Sequence, residues 1–412
     1  MRDRCMKQNE IVPGIFRLSA PVQEPLFESM WPIPGGMAMN SYIVRGTETA
    51  IIDGVCGWDG VPETLFAQLD AMKIRPQDIR YVVVNHLEPD HSGWLEELMR
   101  ATGSFTVLAT EKGLRLGDAF FNISSRFATK AVKTGDTLDL GEGKRLVFVE
   151  IPNVHWPETM ATYETSSGTL FPCDAFGSFG SVPEDRFTDA DFTEEELQMY
   201  EKEALRYYAN IVAAFSPAVL SAIKALASVD VRLIAPGHGI VWKKDPQRII
   251  RLYEQFATWS RGTALPEVTL IWGSMYGMTA KAVEAAVQGV KDEGLPIRVF
   301  RSPQDHVSDI LASCLRSQGI ILGVPTYEYR MFPPIAHVLD DLGRKRILHR
   351  RAFCFGSYGW SGGALKELEE IIAKYKMEWN FLEPVSFNGQ PQKEDLEKVY
   401  NRAKALARSL KE

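Results

Sequence analysis

Up to about residue 260 the chain is built from short apolar runs that end in polar loops, the pattern of half-buried or buried strands. Tyr42-Ile43-Val44, Thr49–Ile52, Tyr81–Val84, Val147–Val149 and Val231–Ile234 are such runs, and Arg45-Gly46-Thr47 predicts a hairpin between the first two. Helical stretches interrupt them. Thr193 with Glu196 reads as a capping box ahead of one helix, and Ser216-Pro217 as N-cap and first helical position of another. Mixed elements of this kind predict an α+β or sandwich-like domain.

The pattern breaks at residues 261–266, RGTALP, which predict a linker. Beyond it, strands at Val268–Trp272, Ile297–Phe300, Gly319–Gly323, Arg351–Phe355 and around Trp379–Leu382 alternate with helices. The first of these helices sets Val283, Ala286, Val287 and Val290 on one face and ends at Gly294. Regular alternation predicts a doubly wound parallel sheet with helices on both sides.

A chain of 412 residues is long enough for two or three such domains. Its net charge of −7 gives no electrostatic footprint for nucleic acid. No apolar run read from the sequence approaches bilayer length, and MRDRCMKQNE at the start has no apolar signal region, so a cytoplasmic protein is expected. Cys5, Cys56, Cys173, Cys314 and Cys354 are scattered without a CxxC, which predicts reduced thiols. An iron–sulfur electron donor is then expected to be a separate molecule.

Against this ordinary background one segment stands out. Asn85-His86-Leu87-Glu88-Pro89-Asp90-His91-Ser92-Gly93 follows the run Tyr81–Val84 and packs two imidazoles and two carboxylates into six positions. Such density is costly for folding unless the groups are paired, and a metal pairs them. His155 follows the run through Val149, Asp174 follows Leu170-Phe171, and His238 follows Val231–Ile234. If these strands share one sheet, their ends converge at one edge. Imidazoles and carboxylates without thiolate suit iron or manganese better than structural zinc, and Asp174 is the candidate to bridge two cations. His306, His337 and His349 lack such company and are expected to be surface or structural.

Three loops of the second half carry a different chemistry. Ser274, Met275, Tyr276, Gly277, Met278 and Thr279 lead from the first strand straight into a helix, where hydroxyls and amides can cradle a phosphate. Pro325, Thr326, Tyr327 and Glu328 follow the third strand, and Ser357, Tyr358, Gly359, Trp360, Ser361 and Gly362 follow the fourth. All three belong at the carboxyl edge of the sheet, where such folds bind ligands. Tyr327 and Trp360 could hold a planar ring.

These segments together resemble the flavodiiron proteins. HxExDH at 86–91, HWPE at 155–158, CDAFG at 173–177 and PGHG at 236–239 are similar to a metallo-β-lactamase-type domain, with Glu88 where its zinc hydrolases carry a histidine. SMYGMT, PTYEY and GSYGWSGG are similar to the flavodoxin half of the family. The resemblance covers nearly the whole chain. It implies a metallo-β-lactamase-like αββα sandwich over residues 1–262, followed by a flavodoxin-like doubly wound parallel sheet over 267–412.

It further implies FMN and two iron ions, with His86, Glu88 and His155 on one iron, Asp90 and His238 on the other, and Asp174 bridging. It leaves His91 either a ligand or standing back with water in its place, then a proton donor. The implied function is an oxidoreductase that takes electrons through FMN and reduces O2 to water or NO to N2O. Rubredoxin or reduced coenzyme F420 is the implied donor. A head-to-tail homodimer, or a tetramer built from it, is implied too, with Trp360 between flavin and irons. The alternative reading is a metal-dependent hydrolase carrying an accessory flavodoxin-like module.

Overall fold

A computed structural model describes residues 9–22, 24–54 and 63–411. Cys5 and Cys56 therefore lie outside the described residues. The described chain divides into two compact units, one drawn from within 1–27, 33–207 and 217–254, the other from 28–32, 208–216 and 255–412.

The first unit is a sandwich of two sheets. One sheet runs in sequence order through β1 (Glu10–Val12), β2 (Ile15–Val22), β3 (Met37–Arg45), β4 (Thr49–Ile52), β5 (Ile79–Val83), β6 (Thr106–Ala109) and β7 (Ala128–Ala131). Its first four strands pair antiparallel and the rest parallel. The predicted hairpin is present, with Arg45 opposite Thr49. The other sheet holds β8 (Thr137–Gly141), β9 (Lys144–Glu150), β10 (Met160–Glu164), β11 (Thr169–Phe171) and β12 (Leu233–Ile234).

Apolar side chains from both inner faces form a common core, Tyr42, Val44, Ile52 and Val83 from the first sheet against Leu146, Phe148, Met160 and Phe171 from the second. This is the packing of a β-sandwich, closed by removal of apolar area from water. The single-sheet premise for the metal residues is corrected here. His86 follows a strand of one sheet, while His155, Asp174 and His238 follow strands of the other, and the convergence happens across the open edge of the sandwich. Strand β12 is shorter than Val231–Ile234 because its partner β11 offers only three residues; pairing begins at Thr169 with Leu233.

The capping box forms as expected, Thr193 N–H to Glu196 Oε2 at 2.8 Å and Glu196 N–H to Thr193 Oγ1 at 3.3 Å. Ser216 departs from expectation. Its backbone is already helical, and its hydroxyl donates to Ala213 O instead of capping. As a result Glu194–Leu226 is a nearly continuous helical run, broken in geometry only by a π-turn at Tyr208–Val212 and a tight turn at Ala213–Phe215. It contains a stretch of mean hydropathy 1.6, long and apolar enough by composition to cross a membrane, which corrects the reading that no run approaches that length. Half of that stretch is buried inside the protein, as in core helices.

The second unit is built on a sheet of β13 (Leu265–Trp272), β14 (Ile297–Arg301), β15 (Ser317–Gly323), β16 (His349–Tyr358) and β17 (Glu378–Phe381), ordered β14-β13-β15-β16-β17. Every pairing is parallel, and β18 (Val385–Asn388) continues beside the end of β16. The order 2-1-3-4-5 is that of flavodoxin. Ala282, Ala286, Val287 and Val290 of helix Ala280–Lys291 and Val399, Ala403 and Leu406 of helix Lys393–Ser409 cover one face. The linker reading of 261–266 is corrected at its end. Leu265 already pairs with Ser317, and Pro266 sits where the register shifts, a site that tolerates a missing amide donor.

Candidate metal centre and flavin cleft

The metal-bearing loop starts from a hinge of buried polar groups. Asn85, just past β5, donates its backbone N–H to Asp53 Oδ1 at 2.7 Å and its amide to Asp53 Oδ2 at 2.9 Å and Phe171 O at 3.2 Å. Thr162 Oγ1 donates to Asn85 Oδ1 at 2.7 Å, so Asn85 stitches the two sheets together immediately before His86. Pro89-Asp90-His91-Ser92 forms a single helical turn with Pro89 in its first position. Ser92 Oγ donates back to Leu87 O and Glu88 O at 2.9 Å, and Asp90 and His91 are thereby held side by side.

The carboxylate of Asp174 is the centre of the site. Its Oδ2 lies 3.0 Å from His155 Nε2 and 3.5 Å from His86 Nε2. Its Oδ1 lies 2.8 Å from His91 Nε2 and 3.1 Å from His238 Nε2. Glu88 Oε2 completes the first group, 3.1 Å from His86 Nε2 and 3.0 Å from His155 Nε2. Asp90 Oδ2 completes the second, 3.4 Å from His91 Nε2 and 3.5 Å from His238 Nε2. Within each group, His86–Glu88–His155–Asp174 and Asp90–His91–His238, ligand-capable atoms lie within 4.8 Å of one another.

The electrostatics show what the site requires. Asp90 is buried, and among the described residues neither of its oxygens meets a hydrogen-bond partner; burial pushes its carboxyl up despite His91 and His238 nearby. Burial alone would lower the imidazoles, yet hydrogen bonds to Glu158 and Glu88 raise His86 to about 10. Asp174 and Glu88 raise His155 to about 10 as well, against the same effect of burial. The carboxylates of Asp90 and Asp174 likewise raise His91, to about 9, over the lowering by burial. Without cations the carboxylates draw protons onto the rings. Buried anions with orphaned oxygens, ringed by Nε2 atoms, fit two divalent or trivalent cations with nitrogen and oxygen ligands.

Sequence reading overlooked two neighbours. Glu158, seen only as part of HWPE, accepts from His86 Nδ1 at 2.8 Å and from Leu87 N–H at 3.0 Å, and so turns the His86 Nε2 into the site. The Cys173 sulfur lies in reach of His91 and Asp174. In the metal-free site burial first, and then Asp53 and Asp174, push its thiol well up. Gly237 of PGHG is required by close approach, since a Cβ there would meet His91 Cε1 at 2.9 Å. Of the other histidines, His337 is exposed beside Asp341 and His349 pairs with Glu378, both outside this cluster.

In the second unit the three loops meet at the carboxyl edge. A cleft there is lined by Thr326, Ser357, Tyr358 and Gly362 of the sequence-derived set, joined by Val324, Gly356 and Ser386 of β18. Thr279 is fully buried and joins the first loop to the third, its Oγ1 3.0 Å from Ser357 Oγ and accepting from Ser357 N–H at 3.3 Å. The second and third loops approach backbone to backbone, and a Cβ on Gly356 would fall 1.8 Å from Val324 O. Gly277, Gly359 and Gly362 instead face open space, with nothing within 4 Å of the Cβ each lacks. Tyr276, Tyr329 and Trp360 are exposed around this edge, with Met275 and Tyr327 partly so, and Trp360 stands edge-on to Tyr329 at 6.3 Å. Open glycine backbone, a hydroxyl-lined cleft and exposed aromatic rings fit a flat heteroaromatic ring carrying a phosphate.

Known families match stretches of both units. Residues 37–239 match the family described as ODP family beta lactamase, and residues 270–402 match flavodoxin. The anaerobic nitric oxide reductase flavorubredoxin of Vibrio vulnificus is 36% identical over 81% of this chain and 66% of its own length. The chain thus spans just under two thirds of that relative; a protein of the same name from Salmonella typhi, 33% identical, is spanned over 68%. Among solved structures, rubredoxin oxygen:oxidoreductase from Desulfovibrio gigas matches with TM-score 0.90 and 25% identity over 98% of both chains. A variant of the flavo di-iron protein from Thermotoga maritima matches with TM-score 0.87 and 28% identity, again over 98% of both.

Proposed function

The chain belongs to the flavodiiron family, and from that premise we propose that it is an oxidoreductase reducing O2 to water, NO to N2O, or both, with electrons relayed through FMN. The observation that carries this reading is the division of Asp174, one oxygen toward His86 and His155, the other toward His91 and His238. His86, Glu88 and His155 would hold one iron, Asp90 and His238 the other, and Asp174 both. His91 joins the second set, because its Nε2 points at the same Asp174 oxygen as His238 does. Two irons held there would supply the electrons for reducing a small gas molecule, and FMN held in the cleft of the second unit would supply the electrons that replace them.

The chain's own residues supply orientation and shielding. Glu158 and the Asn85–Asp53 pair fix the loop; Trp156 stands edge-on to His86 at 5.0 Å between ring centroids, and Phe27 edge-on to His238 at 5.9 Å. Apolar rings at these faces limit access of water to the ligands. In the second unit Ser274–Thr279 would receive the phosphate, while the Pro325–Glu328 and Ser357–Gly362 loops would hold the ring. The domain limits 1–262 and 267–412, a cytoplasmic location, a head-to-tail homodimer or tetramer, and rubredoxin or reduced coenzyme F420 as donor are parts of the same proposal. Rubredoxin has the support of the Desulfovibrio gigas likeness.

The test is anaerobic quantitation of FMN and iron, followed by stopped-flow oxidation of the reduced protein by O2 and by NO. One FMN and two irons per chain, with fast oxidation by at least one gas, is the expected result. One zinc per chain with hydrolysis of esters or amides would establish the hydrolase instead.

A further inference from the structure

A metal-ligating histidine ordinarily has its second ring nitrogen held by a carboxylate or carbonyl, which fixes the direction of the first. His86 follows that rule through Glu158. His238 does not: its Nδ1 is buried and meets no hydrogen-bond partner among the described residues. Its backbone, by contrast, is held closely.

The turn that carries it is clamped from behind by one side chain on β3. Asn40 donates its backbone N–H to Gly237 O at 2.7 Å. Its amide nitrogen donates to Pro236 O at 3.0 Å and to Gly239 O at 2.9 Å, the carbonyls on either side of Gly237-His238. Tyr42 Oη adds a bond to Pro236 O at 2.8 Å. An amide could serve two acceptors only with its NH2 end toward them, and Arg17 enforces that orientation: its Nε donates to Asn40 Oδ1 at 2.8 Å. Arg17 is itself buried, braced by Ser19 Oγ at 2.8 Å and by the ring of Phe187 at 4.7 Å. A reversed amide would set Oδ1 against two carbonyls and the NH2 against a guanidinium, and each of those contacts is repulsive.

We propose that Arg17 and Asn40 are positioning residues of the second metal site, a relay that aims His238 through its backbone where the first site uses Glu158 on a ring nitrogen. The inference rests on the diiron reading of the site. It makes the two irons separable, because only one of them depends on the clamp.

The experiment measures iron per chain and the low-temperature electron paramagnetic resonance of the oxidised full-length protein in Asn40→Asp, Arg17→Met and Arg17→Lys. The wild type must first show two irons, coupled and silent; failure there rejects the diiron reading and not the clamp. Asp has the shape of Asn but cannot donate to Pro236 O and Gly239 O. Asn40→Asp is expected to fall from two irons to one and to show the signal of an isolated high-spin ferric ion. The retained iron shows that the sandwich has folded. Arg17→Met should lose second-site iron in the same way, and Arg17→Lys, which still donates toward Asn40 Oδ1, should recover part of it. Two coupled irons in both Asn40→Asp and Arg17→Met would overturn the proposal. If Asn40→Asp loses both irons, Arg17→Met decides: selective loss of one iron supports the clamp, and retention or loss of both rejects it.

Discussion

Glu158 Oε1 lies 2.8 Å from His86 Nδ1, and the pair is sealed from solvent on both sides. The carboxylate fixes the tautomer, leaving Nε2 to face Glu88 and Asp174. The same oxygen takes the Leu87 N–H, so one side chain sets both the ring and the backbone beside it. Glu158→Gln keeps the shape and removes the charge. Metal affinity at the first cluster should fall by about 10- to 100-fold, the usual cost of losing such a partner. Competition with a graded series of chelators checks this, and unchanged affinity would remove Glu158 from the site.

Asp174 is shared, so its loss should reach further than that of any single ligand. Asp174→Asn is expected to leave fewer than two irons per chain and to abolish magnetic coupling between any that remain. Gas reduction should drop by more than about 100-fold, beyond the range seen for outer partners. Iron analysis with Mössbauer spectroscopy reads both effects; a coupled pair in this variant would show that another group bridges.

Protons and metal compete for the same rings. In the metal-free protein His86 and His155 titrate at about 10 and His91 at about 9, above the ~6.5 of an unfolded chain. Their stabilising contribution is fully present below about pH 6.5 and is lost as pH rises through 9 to 10. The metal-free protein should therefore melt at lower temperature at pH 10 than at pH 7. Metal binding should release protons and tighten as pH rises over the same interval. Calorimetry of the metal-free and iron-loaded forms checks both; a metal-free melting temperature that rises toward pH 10 would contradict the assignment.

The flavin cleft depends on a tie between two loops. Thr279→Val removes the bond to Ser357 while nearly preserving volume. About 1 kcal/mol of lost hydrogen bonding should weaken FMN about fivefold. Gly356→Ala is a harsher test, because its Cβ would collide with Val324 O and force the second and third loops apart. FMN should then be lost on gel filtration while iron in the first unit is retained. Fluorescence titration of the flavin-free protein measures the first effect.

Much of this protein was legible in the order of its residues. The alternation beyond residue 267 announced a doubly wound sheet, because a strand–helix repeat has few other ways to bury its apolar faces. His86, Glu88, Asp90 and His91 could be singled out because four polar groups in six positions are too costly without a shared partner. What the chain could not disclose is long-range. That Asp174 faces both clusters, that Glu158 serves His86, and that Arg17 acts on His238 through Asn40 depend on residues tens to hundreds of positions apart meeting across two sheets. Local pattern reports which face a side chain shows to its own strand. Only closure of the sandwich, driven by its common apolar core, decides which strand ends lie opposite one another and therefore which polar atoms must satisfy each other there.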